Sequence, residues 1–200
     1  MPMETVAKRH VNLYTEASPN PNSLKFVVNF LITPEGKDFN FTRKDSLAQS
    51  PLAQKLFDTF DWLDQVFFMN NFLTLTRNTE DEWYELVAEV KPVLLSYFED
   101  KNPVFVFANE AEMNAAVEGP IGETETERQI IQLLDEYVRP AVEGDGGAIS
   151  FRSFQDGIVS LELRGSCSGC PSSTMTLKSG IQNLLTRMVP EVKEVVAINM

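Results

Sequence analysis

Cys167 and Cys170 are the only cysteines of this 200-residue chain, and two residues separate them. They lie in Arg164-Gly165-Ser166-Cys167-Ser168-Gly169-Cys170-Pro171-Ser172-Ser173-Thr174. Two thiols at that spacing can grip one metal centre or close one small disulfide. Pro171 suits the first position of a helix, where its missing N–H costs nothing. The pair is therefore expected at a helix N-terminus, where the first N–H groups and the helix dipole favour thiolates and bound anions. Gly165 and Gly169 allow a tight turn and a close approach of backbone to ligand. Ser166, Ser168, Ser172, Ser173 and Thr174 add hydroxyl donors, and the whole reads as a small anionic pocket at the surface.

Tetrahedral zinc and common iron–sulfur sites want about four protein ligands, usually thiolates. The chain supplies two cysteines, and its one histidine, His10, lies far away near the N-terminus. A closed four-ligand site built from cysteine and histidine within one subunit is thus excluded. Either two chains contribute a pair each, or the pair performs dithiol chemistry alone. A thiol–disulfide oxidoreductase is the alternative of that second kind, since C-x-x-C at a helix start is also the thioredoxin arrangement. Against it, Gly165-Ser166 rather than an aromatic residue precedes the pair, and a hairpin rather than a β-α-β unit leads into it. Intersubunit structural zinc is a further alternative. Asp145-Gly146-Gly147 reads as a turn with positive φ; Asp145 as an iron ligand would lose the softness match that thiolates give. His10 reads as a solvated tail residue, and no serine or cysteine has a histidine placed to activate it, so no enzyme is expected.

The elements that must position the pair follow from local pattern. After the breaker-rich Ser18-Pro19-Asn20-Pro21-Asn22, residues 24–32 alternate as a strand, ended by Thr33-Pro34-Glu35-Gly36. Ser50-Pro51 is a helix N-cap with proline behind it. Val66 to Met69 and Phe72 to Thr76 form a hairpin about Asn70-Asn71, with Phe67, Phe68 and Phe72 as packing residues. Thr79 with Glu82 suggests a capping box for a helix that Pro92 should kink or divide. Val104 to Phe107 reads as an edge strand. Between residues 108 and 127, six glutamates stand without a lysine or arginine, the pattern of a solvated linker. Thr126 with Gln129 then suggests a second capping box, for a helix closed by Val138-Arg139-Pro140. A hairpin of residues 149–154 and 158–164 turns at Gln155-Asp156-Gly157 and leads to the cysteines. A helix from Pro171 to about Met188 and a last strand to Ile198 complete α-β-β-α-β, whose final crossover should be right-handed and parallel. Met175 and Thr174 are expected as packing and cluster-supporting groups. The fold class is α+β, as two small α/β-sandwich domains. They span residues 1–107 and 126–200 with an acidic linker at 108–125. The second has a three-stranded mixed sheet with helices on one face.

Acidic residues outnumber basic ones by 29 to 17, a net charge of −12 that argues against nucleic acid or an anionic membrane as partner. No apolar run approaches the ~18 residues of a membrane span. Residues 1–13 show neither a signal-peptide core nor an arginine-rich transit pattern. Two cysteines this close make no secreted disulfide framework. A reducing, bacterial-type cytoplasmic location is the expectation.

Leu134-Asp135-Glu136, Val138-Arg139-Pro140, Asp145-Gly146-Gly147 and Cys167-Ser168-Gly169-Cys170-Pro171 closely resemble the C-terminal domain of NifU. Pro19 to Phe26, Ser50-Pro51-Leu52-Ala53 and the residue 66–76 hairpin resemble the Nfu N-terminal domain. In this order the two look like an Nfu-type iron–sulfur carrier, over nearly the whole chain. The resemblance implies a 4Fe–4S cluster, with a 2Fe–2S form also allowed. Cys167 and Cys170 of each of two subunits in a homodimer would hold it. It further implies receipt of the cluster from an upstream iron–sulfur scaffold and transfer to apo-protein clients.

Overall fold

The protein is described by a computed structural model over residues 8–34, 36–107, 122–168 and 171–198, with 171–174 as backbone only. Cys170, Gly169 and most of the expected acidic linker lie outside the described residues.

Strands β1 (Leu13–Ala17), β2 (Ser23–Val28), β3 (Asp38–Thr42), β4 (Leu63–Met69) and β5 (Phe72–Arg77) form one sheet in the order β1-β2-β5-β4-β3. Every neighbouring pair is antiparallel. Successive side chains of a strand point to opposite faces, and both faces of this sheet are used. Phe26, Val66, Phe68, Leu73 and Leu75 pack against Leu52 and Leu56 of α1 (Pro51–Thr59) and Val90, Leu94 and Phe98 of α2 (Trp83–Glu99). On the other face Val27, Phe67, Met69 and Phe72 close around Ala148, far along the chain. That is why Val66 to Met69 is an unbroken apolar run: a strand covered on both faces has no side that favours polar residues.

The Asn70-Asn71 hairpin forms as expected, with Asn70 at φ 48°, and so does the Ser50 cap, whose Oγ accepts from Ala53 N. Other details differ. The first expected strand ends at Val28, because Ile32 N and Thr33 N turn to Asn70 O instead. β1 and β3 were not anticipated, although Asp-Phe-Asn-Phe-Thr alternates with period two. Val104 to Phe107 is no strand. Val106 N bonds Gln49 O, Ser50 Oγ bonds Val104 O, and the Phe105 ring lies 4.3 Å from Phe39. Thr79 does not cap α2, since its hydroxyl bonds Asp81, and α2 runs unbroken through Pro92.

The second unit runs α3 (Glu125–Leu133), a π-helical turn (Leu134–Val138), α4 (Arg139–Gly144), β6 (Gly147–Gln155), β7 (Ile158–Gly165), α5 (Pro171–Met188) and β8 (Glu194–Ile198). Its mixed sheet has the order β6-β7-β8, antiparallel then parallel, so the expected α+β class and the parallel pairing of the last strand are present. Ile130, Leu134, Val138, Ile181 and Leu185 bury one face of that sheet with Ile149, Val159, Leu161 and Leu163. The capping box is Thr124 with Glu127, two residues before the expected one. Nor does the helix close at Val138-Arg139-Pro140. A wider turn carries the chain past Pro140, which stands in the first turn of α4 where it lacks no needed N–H.

Candidate functional site

β7 delivers the chain to Gly165, which sits at φ 65° opposite Gly147 in the sheet register. A Cβ at Gly165 would lie 2.7 Å from Gly146 O and 2.9 Å from Phe67 Cδ1, so only glycine fits this corner. The turn of Asp145 to Gly147 lies directly against the cysteine turn. Ser166 N donates to Gly146 O at 3.2 Å, and Ser166 Oγ to Asp145 O at 2.7 Å. Ser168 closes the corner with its N donating to Gly165 O, while its single hydroxyl proton is shared between Gly165 O at 2.8 Å and Gln65 Oε1 at 2.9 Å. Gly146 has φ 84°, as the turn reading expects. Asp145 offers the motif its main-chain oxygen, and its N–H terminates α4 on Ala141 O. His10 is exposed at the opposite end of the chain.

Cys167 is only 7% exposed, which corrects the expectation of a surface pocket at this residue. Its thiol turns inward because Gly147 leaves room: a Cβ there would fall 2.9 Å from Cys167 Sγ. The sulfur packs within the second core and has Ser166 Oγ at 3.8 Å. Helix α5 begins at Pro171, as expected. Met175, in its second turn, is 69% exposed rather than packed. Cys170, and the side chains of Ser172, Ser173 and Thr174, lie outside the described residues. Among the described residues no group of three His, Cys, Asp or Glu could hold a metal ion.

The first unit supplies partners that the pattern around the cysteines does not announce. Buried Asn20 donates from Nδ2 to Ser166 O at 3.1 Å and Ser168 O at 3.5 Å, the carbonyls of the residues that flank Cys167. Gln65 Oε1 accepts from Ser168 Oγ at 2.9 Å. Thr74 Oγ1 donates to Gly146 O at 2.7 Å. Lys25 Nζ reaches Gly144 O at 3.1 Å, at the C-terminus of α4 where a helix favours a cation. Arg164 pairs with Asp38 across the units at 2.8 Å and with buried Glu162 at 2.9 Å, while Arg152 also holds Glu162. Burial raises the Asp38 carboxyl above its ordinary value, and Arg164 opposes that rise.

A model of the NifU-like domain matches residues 130–196, and one of the Nfu/NifU scaffold N-terminus matches residues 13–101. An NFU1 iron-sulfur cluster scaffold homolog, mitochondrial, of Drosophila persimilis is 37% identical over 193 residues, covering 96% of this chain and 67% of its own. The chain belongs to the Nfu family. The homolog of the same name in Drosophila virilis is 38% identical over 193 residues, covering 96% of this chain and 63% of its own. The chain thus spans about two thirds of the length of these Nfu relatives. A NifU-like protein of Saccharomyces cerevisiae, solved by NMR, is 22% identical with a TM-score of 0.44, over 52% of this chain and 98% of that one. The Nfu relatives are named as scaffolds, and as mitochondrial. The second word overturns the expectation of a bacterial-type cytoplasmic protein.

Proposed function

We propose that the protein is an iron–sulfur carrier: it receives a cluster from an upstream scaffold and passes it to apo-protein clients. The cargo is a 4Fe–4S cluster held between two copies of the chain by Cys167 and Cys170 of each. Residues 126–200 form the cluster-binding domain and residues 1–107 an accessory domain, joined by an acidic linker at 108–125. The observation that carries this reading is the sulfur count within a NifU-like unit, where one chain offers two thiols at the β7–α5 corner and a cluster asks for about four.

The chemistry at the protein's own atoms is thiolate exchange. A client thiolate bonds to iron as a Cys167 or Cys170 thiolate leaves it, with no net change of charge or oxidation state. Repeated exchange empties the site, and the two chains separate. A corner at a helix start suits this work, because its dipole stabilises the departing thiolate.

The test is anaerobic reconstitution of the reduced protein with iron and sulfide, followed by visible absorbance and analysis of iron and acid-labile sulfide. Thiolate-to-iron absorbance in the wild type, lost in both Cys167→Ala and Cys170→Ala, supports the assignment. Uptake of zinc alone, or disulfide reductase turnover without iron, contradicts it.

A further inference from the structure

We propose that the five-stranded unit is a clamp on the cysteine turn: Asn20 and Gln65 hold it with Cys167 facing inward, and the two units must part before that thiol is presented. The proposal rests on the carrier reading for its purpose, but its geometry stands on three observations.

The first is direction. The Cys167 sulfur fills the space left by Gly147, and the residue is 7% exposed. The flanking peptides fix the Cα–Cβ bond, and Cys167 Cβ itself lies 3.3 Å from where a Gly147 Cβ would stand. Rotation about that bond moves the sulfur but leaves its stem facing Gly147, so full presentation of the thiol rotates a peptide flanking Cys167.

The second is that Asn20 is bonded on both sides of Cys167. Its Nδ2 donates to Ser166 O and reaches Ser168 O. Rotating the turn pulls these carbonyls away from Asn20. Asn20 is in no position to follow. It is 3% exposed, its Oδ1 accepts from Asn22 N at 3.0 Å, and its own N donates to Ser18 Oγ at 3.1 Å. A buried amide left without its acceptor is disfavoured.

The third is Gln65, which reaches the turn from β4. Its Oε1 accepts from Ser168 Oγ, and its Nε2 donates to Asn40 Oδ1 at 2.5 Å, which fixes the amide orientation. Thus the turn is gripped from the β1–β2 connection and from β4 at once. Ligation by a second chain's cluster requires an accessible sulfur. Such a ligand binds the parted form and not the clamped one, so its apparent affinity falls by the fraction of molecules that are parted. The clamp would keep the empty carrier's thiol from stray metal and oxidant, and cargo loading would release it.

The test needs no iron. The full-length, reduced protein is alkylated with iodoacetamide, and the rate at Cys167 is followed by peptide mass spectrometry. The same is done for the urea-unfolded chain and for Asn20→Ala and Gln65→Ala separately. Because reaction at a buried thiol waits on local opening, wild-type Cys167 should react about tenfold or more slowly than in the unfolded chain. Each variant should raise that rate several-fold while its circular dichroism stays native. Should one variant lose its fold, the other decides. Wild-type Cys167 reacting at the unfolded rate, or folded variants reacting no faster than wild type, overturns the proposal. Protection of Cys167 in a protein that takes up no iron would leave the clamp standing and remove the carrier reading.

Discussion

The Asn20 side-chain amide donates to the main-chain oxygen of Ser166 at 3.1 Å, across 146 residues of sequence. One of these residues follows a Ser-Pro turn before the first long strand, and the other precedes the first cysteine. Their bond makes the exposure of Cys167 a property of both sheets rather than of the cysteine turn alone. Phe67 repeats the relationship in apolar form, fully buried against Ala148 and against the corner at Gly165.

Gly165→Ala is expected to destabilise the protein by about 1–3 kcal/mol, the range for a non-glycine residue forced into the left-handed region. The new methyl would also meet Gly146 O and the Phe67 ring at less than 3 Å. Urea denaturation measures it, and a change within error of zero would mean that the corner relaxes freely.

Thr124→Ala should cost about 1 kcal/mol by removing an N-cap. Thr124 Oγ1 accepts from Glu127 N at 3.2 Å, and Glu127 Oε2 accepts from the N–H groups of Thr124 and Glu123. Those bonds hold the Glu127 carboxyl below its ordinary value, the Thr124 N–H most of all. The stability Glu127 contributes is present above 4.5 and lost as pH falls through its lowered folded value. Thr124→Ala keeps the N–H groups from which Glu127 accepts, so its penalty should be largely independent of pH. Wild-type stability relative to Glu127→Gln should instead fall in acid, as followed by thermal unfolding at several pH values.

Asp38 carries the opposite sign. Burial raises its carboxyl above 3.8, so the folded chain holds that proton more tightly than the unfolded one. Its contribution is fully present below 3.8 and is lost as pH rises through the raised folded value. Asp38→Asn cannot titrate, so wild-type stability relative to the variant should decline as pH rises from 3.8. A wild-type denaturation midpoint that rises relative to that of Asp38→Asn as pH increases would contradict the burial argument.

Much of the second unit was legible because its signals are local. Asp156 and Gly157 both take positive φ at the hairpin turn that their residue types announce. Pro171 and Val189-Pro190 bracket α5. The choice between two overlapping capping patterns was less so. Thr124-x-x-Glu127 prevails over Thr126-x-x-Gln129 because a carboxylate accepts two main-chain N–H groups more strongly than an amide does. Val104 to Phe107 has strand composition, yet its phenylalanines are used as plugs against Phe39 rather than in a ladder. The residue types at 167 and 170 spoke of metal or disulfide chemistry, but not of direction. An inward Cys167 depends on a missing side chain at Gly147, on carbonyls met by Asn20 and on a hydroxyl met by Gln65. Such long-range pairings leave no periodic trace, and neither does the compartment in which a protein works.

The central claim is that two chains share one cluster, and native mass spectrometry of the anaerobically reconstituted protein tests it most directly. The account predicts a species of two chains carrying four iron and four sulfide, reverting to single chains when the cluster is removed by chelation. A single chain carrying a complete cluster, or two chains that stay together without iron and never take it up, would contradict it.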